Sequence, residues 1–162
     1  MRKKSGLMLM ISTTLVIAMV LIIFAFSTQQ GESSIGTSES IIDSLIQKLG
    51  IESFIENNEW LYEHRNIVFR KTLHFFEYAI LATLTFITLK LRGLKLKYIS
   101  IITLMFTSMI AAVDEYYQSL IPGRTPHIRD VFIDTLGAFT AIIIILIIIK
   151  LFKRSKKDEA YQ

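Results

Sequence analysis

The residues with side chains suited to chemistry lie in and beside long apolar runs of this chain. The stretch Asp114–Gly137 leaves one apolar run and enters the next with two acids, Asp130 and Asp134. A second group stands at the beginning of another run and consists of Lys71, His74 and Glu77. Ionisable groups at membrane depth are costly, and they usually face a bundle interior or a polar cavity. The pattern therefore indicates where chemistry or binding takes place more clearly than which reaction it is.

Several kinds of chemistry fit these residue types. Two close carboxylates can share one proton, so that one serves as an acid and the other as a base. The candidate catalytic residues are Glu77, Glu115, Asp134 and His74. A guanidinium can hold a phosphate or carboxylate group, and the candidate substrate-binding residues are Lys71, Arg124, Gln118 and Asp130. Metal ligation by His74 and the acids is a weaker alternative, because the chain has no HExxH-type spacing.

Each candidate also has a structural interpretation, which is the better one for any single residue. Arg124 beside carboxylates can be a clamp, and His74 near a helix end can simply form a hydrogen bond. For the cluster as a whole we favour function, because helix packing rarely needs three carboxylates below a membrane interface. The chain has no cysteine, no Gly-rich phosphate loop and no GxSxG elbow. We therefore expect no cofactor and no metal, and nothing supports nucleic-acid binding.

Composition predicts the elements that position these residues. The 162 residues are 52% hydrophobic with a mean hydropathy of +0.48, and the apolar residues are concentrated in blocks. An all-α, single-domain membrane protein (1–162) is therefore predicted, with spans at about 7–26, 73–89, 98–113 and 131–149. A cleaved signal peptide is the alternative for the first span, but its apolar run is longer than a usual signal peptide core, which favours an uncleaved anchor.

The distribution of Lys and Arg predicts the orientation. These residues are frequent in 1–5, in the loop 90–97 and in the tail 150–162, and sparse in the loops 27–72 and 114–130. The positive-inside rule places both termini in the cytoplasm and the two other loops outside. The net charge of +4 thus indicates membrane orientation. All the candidate residues then lie at the outer ends of the spans, which predicts one polar cavity open to the outside and no through-channel.

The loops and the last span carry further local signals. In the loop 27–72, a capping-box spacing at Ser40–Asp43 and apolar residues at helical intervals predict short amphipathic helices that end first at Gly50. These helices would lie on the membrane or cap the bundle, either structurally or as a lid. Pro122–Gly123 fits a type II turn. In the last span, Gly137 shares a helix face with Asp130 and Asp134 and predicts close helix approach.

At these residues the chain resembles the VanZ-like family of small bacterial membrane proteins. The similar segments are FSTQQG (26–31), RKTLHFFEYAIL (70–81), DEYYQSLIPGR (114–124) and RDVFIDTLGA (129–138). The resemblance implies four spans in the bacterial cytoplasmic membrane and a link to low-level teicoplanin resistance, without implying a settled reaction. Its polar signature falls on the eight candidate residues named above. Phe139 and Thr140 stand where the family often has Gly, which predicts looser helix packing there.

Three functions remain open at this point. The first is binding or modification of an anionic cell-wall precursor or its carrier lipid at the outer leaflet, with a glycopeptide antibiotic as another possible partner. The second is a non-catalytic scaffold or binding partner of wall-synthesis enzymes. The third, a proton-coupled carrier, is disfavoured because the inner halves of the spans lack charges and no inverted repeat is apparent. Whether the protein is an enzyme, and its oligomeric state, stay undetermined.

Overall fold

The computed structural model of the chain describes residues 2–28, 43–44, 46–121 and 127–159. Within these ranges all regular structure is helical. The helices with described bounds are α1 (Arg2–Thr28), α2 (Glu52–Glu56), α3 (Glu59–Leu91), α4 (Leu96–Ser119) and α5 (Ile128–Glu159). All but α2 are long and apolar enough to cross a membrane. The predicted all-α class with four spans is confirmed at this level, and the chain is a multi-pass membrane protein by the length and composition of its helices.

Helix α3 begins earlier than the predicted second span. It is continuous over 33 residues from Glu59, so the aromatic patch around Trp60 and Tyr62 forms its first turns instead of a separate short helix. Asn58 caps its beginning, because the Asn58 side chain accepts a hydrogen bond from the backbone N–H of Leu61 at 3.1 Å. No Gly or Pro interrupts the sequence between Asn58 and Leu91, and a continuous helix is the result.

Gly50 ends a short helical segment at 46–49, as predicted. Its φ is +66°, a left-handed conformation that glycine adopts without a steric penalty. The N–H of Ile51 donates to the carbonyl of Ile46 at 3.3 Å, and the N–H of Gly50 donates to Gln47 at 3.1 Å. These two bonds form a Schellman motif, which satisfies the last carbonyls of the helix. The predicted cap at Ser40 and turn at Pro122–Gly123 lie outside the described residues.

Helix α3 is the central element of the bundle, since α1, α4 and α5 all pack against it. One core cluster joins Tyr78 of α3 to Ile23 of α1 and Ala111 of α4. Further along α3, Phe86 packs with Ile99 of α4 and Ile142 of α5. Large apolar side chains such as Ile101 and Met105 of α4 instead face outward. That distribution suits a lipid surrounding, in which small and polar residues mediate helix contacts.

Gly137 brings α5 against the backbone of α3. A Cβ atom built at this position would lie 2.2 Å from the carbonyl oxygen of Phe75. The predicted close approach is therefore confirmed. The looser packing expected from Phe139 is not observed, because Phe139 points outward while Ala138 and Ala141 continue the contact with Ala82 of α3.

The helix lengths place the polar residues at one boundary of the membrane. Lys90, Lys97 and Lys150 lie together at one end of the three helices that carry the candidate residues. A hydrocarbon layer of about 30 Å is crossed by about 20 helical residues. Counting from these lysines leads to the opposite boundary at Arg70 on α3, Tyr117 on α4 and Asp130 on α5. We call this opposite boundary and the first turns beneath it the polar end of the bundle.

Candidate functional site

Seven of the eight predicted site residues lie at the polar end of the bundle. They lie in the middle of α3, in the last turn and a half of α4 and in the first two turns of α5. The residues are Lys71, His74 and Glu77 on α3, Glu115 and Gln118 on α4, and Asp130 and Asp134 on α5. The eighth, Arg124, lies outside the described residues. Three separate helices thus bring their ionisable groups to one end, as the topology predicts.

Lys71 and Asp130 form an ion pair between α3 and α5. The Lys71 ammonium contacts the Asp130 carboxylate directly. Both side chains are partly exposed, at 30% and 23%, so the pair lies at the rim of the polar end. Because Asp130 is in the first turn of α5, its negative charge is also favoured by the helix dipole. The two predicted binding residues therefore hold each other in place at the entrance to the site.

His74 lies between two carboxylates beneath that rim. Its Nδ1 atom is 3.8 Å from an oxygen of Glu77 on its own helix and 3.8 Å from Oδ1 of Asp134 on α5. These distances are within ion-pair range but longer than a hydrogen bond. The arrangement connects three of the four predicted catalytic residues. An imidazole placed between two carboxylates can exchange protons with either of them after a small shift.

Two carboxylates are buried in the bundle at this level. Asp114 on α4 is 1% exposed and Asp134 on α5 is 4% exposed. Asp114 accepts a hydrogen bond from the side-chain amide of Gln118 at 2.9 Å. Asp134 lies within electrostatic range of the acids Glu77, Asp114, Glu115 and Asp130. Buried like charges repel one another strongly at low dielectric, so this end of the bundle is built to hold shared protons or a ligand.

Asp114 and Tyr78 were not among the predicted site residues. The buried face of α4 reads Thr103, Thr107, Ala111 and Asp114, which is a helical repeat of small and polar residues. In a membrane helix such a stripe marks the interior face. That periodicity was present in the sequence and selects Asp114 over its neighbour Glu115 as the inward acid.

Glu115 instead joins the end of α4 to the beginning of α5. Its carboxylate accepts a hydrogen bond from the backbone N–H of His127 at 2.5 Å. His127 directly precedes α5, so the negative charge lies beside the N-terminal end of that helix, where it is favourable. This contact gives Glu115 a structural role in addition to the acid or base role predicted for it.

Removing the Glu115 carboxylate is expected to destabilise the polar end. Glu115→Ala should lower the free energy of unfolding by about 1 kcal/mol, as for loss of a helix cap. Glu115→Gln should lower it much less, because the amide oxygen can still accept from His127. Thermal unfolding of the purified protein in detergent measures both changes. Equal stability of all three proteins would contradict the capping role.

A small cleft opens between α3 and α5 at the polar end. Arg70, Lys71 and His74 line one side, and Asp130, Ile133 and Asp134 line the other. The space enclosed by the cleft is about 10 Å³, which is room for about one water-sized group. It therefore suits one polar group of a larger ligand. Among the described residues, no three His, Asp or Glu side chains are placed to hold a metal ion.

Comparison with known proteins gives one match. A family model described as VanZ/LLP1 matches residues 12–150, which is most of the chain. The matched region includes every predicted site residue, α3 and α4 in full, and most of α1 and α5. No curated protein and no solved structure matches the chain.

Proposed function

Since the chain belongs to the VanZ/LLP1 family and is thus a VanZ-like protein of the cell envelope, we propose that its polar end binds the anionic head group of a cell-wall precursor or its carrier lipid. Binding or modification of that lipid would contribute to resistance to glycopeptides such as teicoplanin. The observation that carries this proposal is the cleft lined by Arg70, Lys71 and His74.

The level of the cleft supports a lipid head group as the ligand. Arg70 lies about 20 residues from the lysines at the other boundary, so its guanidinium lies at the depth of lipid phosphates. Arg and Lys are the residues that most readily hold phosphate oxygens. The size of the cleft fits a single polar group of the head group, while the acyl chain stays in the bilayer. Arg124, predicted to bind an anion from the sequence, would add a further cation.

The carboxylates beside His74 are suited to acid–base chemistry. His74 contacts Glu77 and Asp134 at equal distances, and either acid can take or give a proton through it. In the proposed orientation both termini are cytoplasmic and the polar end faces outward, where lipid-linked wall precursors are used. The modification would be an acid–base step at the head group.

A scaffold function is the second candidate, and one observation favours it. Large apolar side chains are exposed on α2 and the first turns of α3, where Phe54 is 68%, Trp60 is 59% and Tyr62 is 51% exposed. These turns lie beyond the boundary at Arg70. An exposed apolar surface of this kind can bind a partner protein or the lipid head-group layer. In this case the polar end would only hold together the helices that carry that surface.

The proposed function is tested with a deletion strain exposed to teicoplanin and vancomycin. The strain is complemented with the wild type, Lys71→Met, Arg124→Ala and Glu115→Gln, and membrane levels are compared by immunoblot. We expect the wild type to restore resistance, and Lys71→Met and Arg124→Ala to fail at equal protein level. Rescue by all variants would favour the scaffold, with the exposed surface around Trp60 as the next target. No phenotype in the deletion strain would refute a role in glycopeptide resistance.

A further inference from the structure

Two buried polar atoms at the polar end form no hydrogen bond with any described residue. They are the hydroxyl oxygen of Tyr78, whose side chain is 0% exposed, and Oδ1 of Asp134. Leaving a buried donor or acceptor unsatisfied destabilises a folded protein. Because Asp134 also lines the cleft, these two atoms point to a group that binds there.

The two atoms lie at the same level of the bundle. Tyr78 follows His74 by one turn on α3, and long side chains on a helix lean toward its N-terminus. The phenol thus carries its hydroxyl back toward the level of His74, whose Nδ1 is 3.8 Å from Asp134 Oδ1. The ring packs with Ile23 of α1 and Ala111 of α4. Asp134 is also within electrostatic range of the Tyr78 hydroxyl.

The chemistry of the two atoms is complementary. A phenol donates a hydrogen bond, and a carboxylate oxygen accepts one. One group that satisfies both is an alcohol, which accepts from Tyr78 and donates to Asp134. An anionic phosphate oxygen suits this position poorly, because Glu77 and Asp114 add negative charge nearby.

We infer that Tyr78 and Asp134 form a subsite for a hydroxyl group at the Asp134 side of the cleft, whose Arg70 and Lys71 side takes the anionic part of the ligand. This inference rests on the proposed function and refines it: the ligand carries an alcohol, such as a sugar hydroxyl, beside its phosphate. A water molecule has the same donor and acceptor capacity, and it is the competing source of that hydroxyl. The two sources predict different effects of removing the phenol oxygen.

Other buried hydroxyls provide matched controls. Thr103 is fully buried and its hydroxyl also has no hydrogen-bond partner among the described residues. It lies 11 positions from Asp114 along α4, which corresponds to about 16 Å, and is thus remote from the cleft. Thr103→Val removes the same kind of atom as Tyr78→Phe without touching the proposed subsite.

The test compares wild type, Tyr78→Phe and Thr103→Val in two measurements. The first is thermal unfolding in detergent with undecaprenyl phosphate, which has no free alcohol, or with undecaprenyl diphosphate linked to N-acetylglucosamine. We expect both lipids to raise the Tm of the wild type, the sugar-linked lipid more. In Tyr78→Phe that difference should disappear, while the Tm without lipid is unchanged or higher because no internal bond is lost. Thr103→Val should keep the difference.

The second measurement is teicoplanin resistance of the complemented deletion strain, in which Tyr78→Phe should lose resistance and Thr103→Val should keep it. If Tyr78→Phe keeps the lipid difference, the subsite is refuted while lipid binding stands. A lower Tm of Tyr78→Phe without lipid, together with retained resistance, would assign the hydroxyl to a structural water and also refute the subsite. If neither lipid raises the Tm of the wild type, the proposed function fails and this inference fails with it.

Discussion

Gly137→Ala is expected to destabilise the protein more than alanine at any other described glycine. The new Cβ would lie 2.2 Å from the carbonyl oxygen of Phe75 and 3.0 Å from its carbonyl carbon. The obstacle is backbone, so no side-chain rotation relieves it, and α5 must move away from α3. Overpacking of this kind costs about 3 kcal/mol or more, which corresponds to a Tm lower by about 6–12 °C for a chain of this size.

The separation of α3 and α5 should also remove function, because both sides of the cleft are carried by these helices. Gly6→Ala is the matched control, since a Cβ at Gly6 meets no atom within 4 Å. Thermal unfolding and resistance are measured for both variants at equal membrane level. A Gly137→Ala protein as stable as Gly6→Ala would show that the two helices are not in contact at Phe75.

Asp134→Asn is expected to abolish function without loss of stability. The amide has nearly the shape of the carboxylate, so the packing against α3 is retained. The amide is neutral at every pH, so it adds no repulsion to the group that includes Glu77, Asp114 and Asp130, and stability should be equal or higher. His74 keeps Glu77 as a partner. The acid or base role of Asp134 is lost, and loss of such a group typically reduces turnover by about 10²–10⁴-fold.

Resistance of the complemented strain should therefore fall to that of the empty vector. Asp43→Asn is the control, because Asp43 is an exposed acid, 60% accessible, whose pair with Arg65 at 3.5 Å lies on the surface and contributes little. A strain with Asp134→Asn that resists teicoplanin as well as the wild type would exclude acid–base catalysis by this residue.

The helices and the location of the site were predictable from the sequence because hydropathy over a window of about 20 residues reports a helix that crosses a membrane. The direction of each span then places Lys71 and Asp130 at one end. The pairing of these two residues was not predictable. It depends on the rotation of α3 about its axis relative to α5, which the contact of Gly137 with Phe75 determines.

The inward face of a helix is also harder to identify in a membrane protein, because large apolar side chains can face the lipid. On α4 the large residues Ile101 and Met105 face outward, while Thr103 and Thr107 are buried. A reading that assigns inward positions by apolar size alone selects the wrong face of a membrane helix. The early start of α3 has a simpler cause. Charge and polarity predicted a loop with short helices up to residue 72, but no residue in 59–72 breaks a helix.

The apolar cluster of Phe86, Ile99 and Ile142 forms a layer of low dielectric below the polar end. In the described part of α3, α4 and α5, no ionisable side chain lies between this cluster and Tyr78. A charge in this layer would cost several kcal/mol, so protons have no stepwise route across. The carboxylates above it can equilibrate with one compartment only. Their protonation follows the acidity of that compartment, and the protein can hold a titrating cluster in the membrane without dissipating the ion gradient across it.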